Sequence, residues 1–134
     1  MSSGNPPLRL VNGTDRCSGR VEVLHDGAWG TVCDDEWDIK DAQVVCRAMD
    51  CGTPKTAKSS SFFGAGQGDI WLDDVRCVGN ETSLLHCRHA PRGENNCGHM
   101  EDAGVVCSGI ISVILLLFAC YLYYFNFQCS FACF

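Results

Sequence analysis

The sequence predicts a small disulfide-rich domain of the α+β class, and three observations support this prediction. The chain has 134 residues and eleven cysteines, a cysteine content typical of disulfide-rich scaffolds. Its polar part contains several short runs with the length and apolar character of β-strands. One segment, residues 38–49, has the apolar spacing of an amphipathic helix.

The predicted strands begin with Leu8–Val11 and continue in a hairpin. Val21 and Val23 alternate with polar residues, and Trp29–Val32 forms the next apolar run. Asp26-Gly27 between these runs favours a tight turn, because glycine tolerates the positive φ that such turns require.

The main helix is predicted over residues 38–49. Asp38 can act as N-cap with Asp41 three residues later, and both carboxylates favour the positive end of the helix dipole. Apolar residues at spacings of three and four define one buried face: Ala42, Val45, Cys46 and Met49. Gly52 is predicted to end this segment.

The second half is predicted to be rich in loops. Residues 52–68 are rich in Ser, Lys and Gly and indicate a long surface loop. Short strands are predicted at 69–72 and 103–107. One helical turn is predicted within 80–86, with Asn80 or Thr82 as its cap.

The cysteines fall into two groups. Three lie in an apolar C-terminal tail, at positions 120, 129 and 133. Eight lie in the polar part, an even number that allows a closed framework: Cys17, Cys33, Cys46, Cys51, Cys77, Cys87, Cys97 and Cys107. Spacing alone leaves roughly a hundred possible pairings of eight cysteines.

Charge and motifs argue against two function classes. The net charge of −6 with ten scattered basic residues disfavours direct binding of nucleic acid by a basic surface. The sequence lacks a Gly-x-Ser-x-Gly nucleophile elbow and a His-Glu-x-x-His motif, so we do not expect an enzyme. Cys87-Arg-His89 and Cys97-Gly-His99 suggest zinc only weakly, because their spacing is too short for zinc fingers.

The two ends of the chain differ in composition. Residues 1–7 are a polar extension without the apolar core of a secretory signal, so we expect an incomplete piece of a secreted precursor. Residues 109–134 form an apolar tail in which 110–127 is nearly long enough to span a membrane. No Lys or Arg follows it as a cytoplasmic stop, and a tail without an evolved role is the alternative.

Two sequons predict N-glycosylation at Asn12 and Asn80, each in turn-like surroundings. A sequon is short enough to occur by chance, so ordinary polar turns are the alternative.

Ordered motifs across residues 8–108 resemble the scavenger receptor cysteine-rich (SRCR) domain, in its eight-cysteine, group B, agglutinin-like form. The resemblance implies a curved antiparallel β-sheet that cradles one main helix, with long loops. The motifs are Arg20-Val-Glu-Val-Leu24, Trp29-Gly-Thr-Val-Cys-Asp-Asp35, Ala42-Gln-Val-Val-Cys46, Leu72-Asp-Asp-Val-Arg-Cys77, Cys97-Gly-His99 and Glu101-Asp-Ala-Gly-Val-Val-Cys107.

The resemblance also selects one disulfide pairing. A bridge that closes a loop as long as that between Cys33 and Cys97 adds roughly 4 kcal/mol in the chain-entropy model. The implied bridges are Cys17–Cys51, Cys33–Cys97, Cys46–Cys107 and Cys77–Cys87.

Two cation sites, usually assigned to calcium, are implied in the same way. Bonding of Cys33 to Cys97 would bring the first set of acids together, and a divalent cation relieves the repulsion between them. Solvated surface acids and turn caps are the alternative. The sets are Asp34, Asp35 and Glu101 for site 1, and Asp73, Asp74 and Asn96 for the weaker site 2.

The resemblance therefore implies an extracellular or cell-surface module with scavenger receptor activity in innate immunity. Its expected ligands are polyanionic polymers or microbial surfaces, bound through bridging Ca²⁺. The alternatives are a cation-independent module that binds extracellular proteins, or an accessory domain of a larger secreted enzyme. The segment that matches a microbial-binding stretch, with core and hairpin as its alternative role, contributes Val21, Glu22, Val23, Leu24 and Trp29.

Overall fold

A computed structural model describes residues 7–109 of the chain. It contains seven regular elements and two short 3₁₀ helices, Leu84–His86 and His99–Glu101. The regular elements are β1 (Leu8–Asn12), β2 (Ser18–His25), β3 (Ala28–Val32), α1 (Ile39–Ala48), β4 (Pro54–Lys58), β5 (Ile70–Leu72) and β6 (Gly104–Cys107). The predicted tail, with its possible membrane segment 110–127, lies outside the described residues. Among residues 7–109, no helix is both long and apolar enough to cross a bilayer.

The six strands form one curled sheet in the order β4-β6-β2-β3-β5, with β1 on the other edge of β2. Strand β2 organises this sheet, because its first residues pair with β6 and its last residues pair with β3. All pairings are antiparallel except that between β3 and β5. The predicted fold of one curved, mainly antiparallel sheet with one helix is therefore confirmed.

Helix α1 begins as its sequence predicts. The Asp38 carboxylate accepts hydrogen bonds from the N–H groups of Lys40 and Asp41, and Asp41 accepts one from the Asp38 N–H. This reciprocal cap satisfies N–H groups that have no partner inside the helix. The apolar face of the helix packs against the inner face of the sheet, where the buried residues include Val21, Val23, Val32, Leu72 and Val105.

Two local predictions were wrong. Residues 52–68 include a strand, β4, which pairs with β6 at the edge of the sheet. The sequence of β4 is mostly polar, so it lacks the apolar pattern that predicts a strand. An edge strand with half-exposed side chains needs few apolar residues. The turn within 80–86 is capped by Ser83, whose hydroxyl accepts from the Leu85 N–H, while Thr82 contacts His86 instead.

The eight framework cysteines form four disulfides, and no cysteine in the described part of the chain is free. Cys46–Cys107 ties the buried face of α1 to β6, and Cys33–Cys97 joins the end of β3 to the loop before the second 3₁₀ helix. The other two bridges are Cys17–Cys51 and Cys77–Cys87. This is the pairing that the resemblance implies, and it leaves no thiolate among these cysteines for zinc.

Asp41 connects the helix cap to a distant part of the chain. Its side chain is fully buried, and its two oxygens accept from the Cys77 and Asp38 N–H groups, each at 2.8 Å. Burial raises the pKa of Asp41 to about 6, although both of these hydrogen bonds act in the opposite direction. The carboxyl group therefore holds together α1 and the segment that carries Cys77.

We expect Asp41→Ala to lower the free energy of unfolding by about 2 kcal/mol, because it leaves buried N–H groups unpaired. Urea denaturation at neutral pH measures this loss. Gln43→Ala, an exposed change on the same helix, should stay within about 0.5 kcal/mol of wild type. An Asp41→Ala variant as stable as the Gln43→Ala variant would contradict this role.

The titration of Asp41 predicts a second effect of Asp41→Ala, a change in how stability depends on pH. Folding raises its pKa from 3.8 to about 6, so the folded state binds this proton more tightly than the unfolded state does. The part of the stability that comes from tighter binding of this proton is full below pH 3.8 and is lost as the pH rises through about 6. Above that pH the ionised carboxylate still accepts the hydrogen bonds from Cys77 and Asp38. We expect Asp41→Ala to lack this part of the pH dependence of stability.

Candidate cation site

The parallel pairing of β3 with β5 creates the site. Val32 pairs with Leu72, and the Cys33 N–H donates to the Leu72 carbonyl at 2.8 Å. The carboxyl ends of neighbouring parallel strands lie at the same end of a sheet, so the acids that follow β3 and β5 are neighbours. Asp34-Asp35 follows β3 and Asp73-Asp74 follows β5.

Three carboxylates lie close together at this end of the sheet. Asp35, Asp73 and Asp74 each offer an oxygen atom, and these atoms all lie within 4.8 Å of one another. Asp73 is buried, whereas Asp35 and Asp74 are half-buried, so the group opens to solvent on one side. Oxygen ligands at this spacing suit a hard cation such as Ca²⁺.

Glu101 extends the group from another direction. Its carboxylate lies within the same 4.8 Å limit of Asp35 and of the Cys33 and Cys97 sulfurs. Both sulfurs belong to one disulfide and are not thiolates, so only the carboxylates are suitable ligands. The Asp34 N–H donates to the Glu101 carbonyl at 2.8 Å, which fixes the 3₁₀ helix against the end of β3.

The electrostatics of the cluster favour a bound cation. Partial burial raises the pKa of Asp35, and the nearby carboxylates of Asp73, Glu101, Asp34 and Asp74 raise it further. None of these acids forms an ion pair with a basic side chain in the part of the chain that the structure describes. A divalent cation would supply the positive charge that the cluster lacks.

The structure brings together acids that were predicted from the sequence to form two separate sites. Asp35, which was predicted for site 1 only, lies beside Glu101 and also beside Asp73 and Asp74 of the predicted site 2. The signal that could have revealed this is that each acidic pair directly follows a predicted strand.

Two predicted ligands lie outside both groups of carboxylates. Asp34 Oδ2 accepts from the Ser60 N–H at 2.7 Å, so it anchors the neighbouring loop. Asn96 is exposed, and its Oδ1 lies 3.5 Å from the Cys97 sulfur.

The predicted ligand-binding segment is mostly not accessible. Val21 and Val23 are core residues, and Glu22 is buried on the opposite face of the sheet in ion pairs with two arginines. Leu24 and Trp29 are partly exposed. The two valines therefore support the sheet and cannot meet a ligand in this fold, which corrects their assignment.

Both predicted glycosylation residues, Asn12 and Asn80, are exposed. The side-chain N–H of Asn12 donates to the Phe63 carbonyl at 3.3 Å. Glycosylation of Asn12 and Asn80 stays a prediction.

The fold, the cross-links and the acidic cluster define a class: a small disulfide-bonded domain with a group of carboxylates at one end of its sheet. The model of the scavenger receptor cysteine-rich domain family matches residues 11–108, and the chain belongs to this family. Its four disulfides are those of the eight-cysteine form, group B. Domains of this family are extracellular or cell-surface binding modules rather than enzymes.

Relatives support this assignment. The human protein "CD5 antigen-like" is 51% identical over 104 residues, which cover 76% of this chain but only 30% of that protein. The third SRCR domain of murine neurotrypsin is 45% identical, with a TM-score of 0.72 over 79% of this chain and 99% of that domain. The dimeric form of the SRCR domain of mouse MARCO is 48% identical, with a TM-score of 0.64 over 75% and 93% of the two chains.

Proposed function

We propose that this domain recognises polyanionic polymers, including those of microbial surfaces, through Ca²⁺ bound by the carboxylate cluster. The ligands from the protein are Asp35, Asp73, Asp74 and Glu101. The observation that supports this proposal most directly is the close approach of Asp35, Asp73 and Asp74 without a basic partner. The proposal merges the two sites that the sequence suggested into one acidic region centred on Asp35.

The chemistry explains how an acidic domain binds an acidic ligand. Calcium takes about six to eight oxygen ligands, and a few carboxylates at a solvent-facing sheet edge leave coordination positions to water. Sulfate or phosphate oxygens of a polymer can replace that water. The ion then lies between two negative partners, the polymer and this chain of net charge −6. Without the ion these two partners would repel each other.

The test uses a polyanion without sugar rings, immobilised long-chain polyphosphate, so that only the ion-bridging chemistry is measured. We expect the protein to bind in millimolar calcium and to dissociate when a chelator is added. Immobilised polymer is needed because one domain alone binds weakly, whereas several domains on one polymer gain by avidity. Binding that persists unchanged in chelator would contradict calcium bridging and would favour a cation-independent adhesion module.

A further inference from the structure

An uncharged groove lies beside the C-terminal end of α1, between the start of β1 and the first 3₁₀ helix. Its volume is about 290 Å³, close to the lower end of the range of small-molecule sites. Within residues 7–109 no charged side chain lines it, although the chain as a whole has a net charge of −6. The groove therefore suits an apolar occupant and not a polyanion.

The apolar surface of the groove is only partly buried by the fold. Val44 and Leu84 are buried, whereas Leu8, Met49 and Leu85 pack against the core but remain partly exposed. Removal of such apolar surface from water is favourable. An apolar occupant would complete the burial of these three side chains.

The last described residue, Gly109, is held close to the same end of α1. The Gly109 N–H donates to the Cys51 carbonyl at 2.8 Å, and the Ser108 N–H donates to the Thr53 carbonyl at 2.7 Å. Cys51 follows Met49 by two residues, a span of at most roughly 7 Å. The chain beyond Gly109 therefore needs only about four extended residues to reach Met49.

The segment that follows Gly109 matches the groove in chemistry. Residues 110–134 contain no Asp, Glu, Lys or Arg, and residues 110–115 have the sequence Ile-Ile-Ser-Val-Ile-Leu. Burial of one aliphatic side chain favours docking by roughly tenfold or more. Because the segment belongs to the same chain, a short connection also gives it a high effective concentration at the groove.

We propose that residues 110–115 dock in this groove of their own chain and cover Met49. Their aliphatic side chains pack against Leu8, Met49 and Leu85, so the start of the apolar tail lies against the folded domain. This inference goes beyond the proposed function and does not depend on the carboxylate cluster. The competing positions for the segment are a lipid bilayer and the groove of a second copy of the chain.

Photo-cross-linking of the full chain identifies what the segment contacts. A diazirine-bearing amino acid takes the place of Val113, and isotopically light and heavy proteins are mixed in equal amounts, with and without phosphatidylcholine vesicles. Mass spectrometry then distinguishes cross-links within one chain, between chains and to lipid. We expect cross-links to Leu8, Met49 or Leu85 of the same chain in both conditions.

Methionine oxidation measures coverage of the groove independently. Oxidation of a thioether by peroxide depends on its exposure, and Met100, which is 76% exposed, is the internal reference. The double variant Ile111→Asp, Val113→Asp should weaken docking by roughly tenfold or more. We therefore expect Met49 to oxidise faster in this variant than in wild type, with no change at Met100.

A matched pair of variants on α1 tests the groove itself. Ala48 is exposed and lines the groove, whereas Gln43 is exposed on the same helix and does not line it. Ala48→Glu places a carboxylate against the docked segment, so the cross-link yield should fall several-fold and Met49 should oxidise faster. Gln43→Glu adds the same charge and should leave both measurements as in wild type.

Several results would overturn the inference. Cross-links only to lipid would show that the segment enters the bilayer, and cross-links only between chains would show that a second copy fills the groove. Cross-links to other parts of the domain, or an unchanged rate of Met49 oxidation in the double variant, would also reject docking at this groove. Calcium-dependent polyphosphate binding is measured separately, so its loss would leave this inference standing.

Discussion

Asp35→Ala is expected to remove most of the stabilisation that calcium gives to this domain. Asp35 is the carboxylate that lies beside Asp73 and Asp74 and also beside Glu101, so its loss separates the remaining ligands. A ligand present at a hundred times its dissociation constant stabilises the folded state by about 2.7 kcal/mol. Thermal unfolding with and without millimolar calcium should show this gain for wild type and little gain for the variant.

The same variant should behave differently without calcium. Removal of one carboxylate lowers the repulsion that raises the pKa of Asp35, so stability in chelator should be unchanged or slightly higher. A variant that has only lost a calcium ligand should therefore be less stable than wild type in calcium but not in chelator. A variant with a damaged fold should be less stable than wild type in both.

Asp34→Ala is the matched control, because Asp34 is the adjacent acid in the sequence but bonds to the Ser60 N–H. It should keep most of the calcium response. An equal loss in Asp34→Ala and Asp35→Ala would show that general negative charge, and not the geometry around Asp35, binds the ion. A full calcium response in Asp35→Ala would contradict the proposed site.

Removal of the Cys33–Cys97 bridge by a double Cys→Ala change should reduce both stability and calcium affinity. The bridge closes a separation of 64 residues, for which the chain-entropy model gives a loss of about 4 kcal/mol. It also holds the loop that leads to Glu101 against the end of β3, so its removal frees one ligand of the cluster. Urea denaturation and calcium calorimetry measure the two effects.

The Cys17–Cys51 bridge offers a control of similar size. It closes a separation of 34 residues, and its loss should also cost roughly 4 kcal/mol in the same model. It joins the start of β2 to the segment after α1, away from the acids, so calcium affinity should be kept in the folded protein. Equal calcium affinity in both double variants would show that Cys33–Cys97 does not position the site.

Local chemistry made several elements predictable. Asp38 and Asp41 form the predicted reciprocal cap, because capping depends only on residues within one helical turn. Asp26-Gly27 forms the predicted turn between β2 and β3, and both residues have positive φ. Such features depend on neighbouring residues, so the sequence contains the information directly.

Non-local pairing was harder to predict. Strand β4 has few apolar residues, and only its hydrogen bonds to β6 reveal it. The Asp34 side chain turns to the Ser60 N–H, a partner 26 residues away. No spacing rule identifies such a partner, because a long loop can return to the sheet at many positions.

The sequence by itself determined the class of this protein: a disulfide-bonded α+β domain with one capped helix, eight framework cysteines and the ordered motifs of its family. Only the tertiary structure decided how its polar groups meet. The parallel pairing of β3 with β5 made Asp35 the neighbour of Asp73 and Asp74, and the packing of α1 beside β1 and the first 3₁₀ helix formed an uncharged groove at Met49. The physical reason is that caps and turns arise from adjacent residues, whereas these sites join segments that touch only after the sheet has formed.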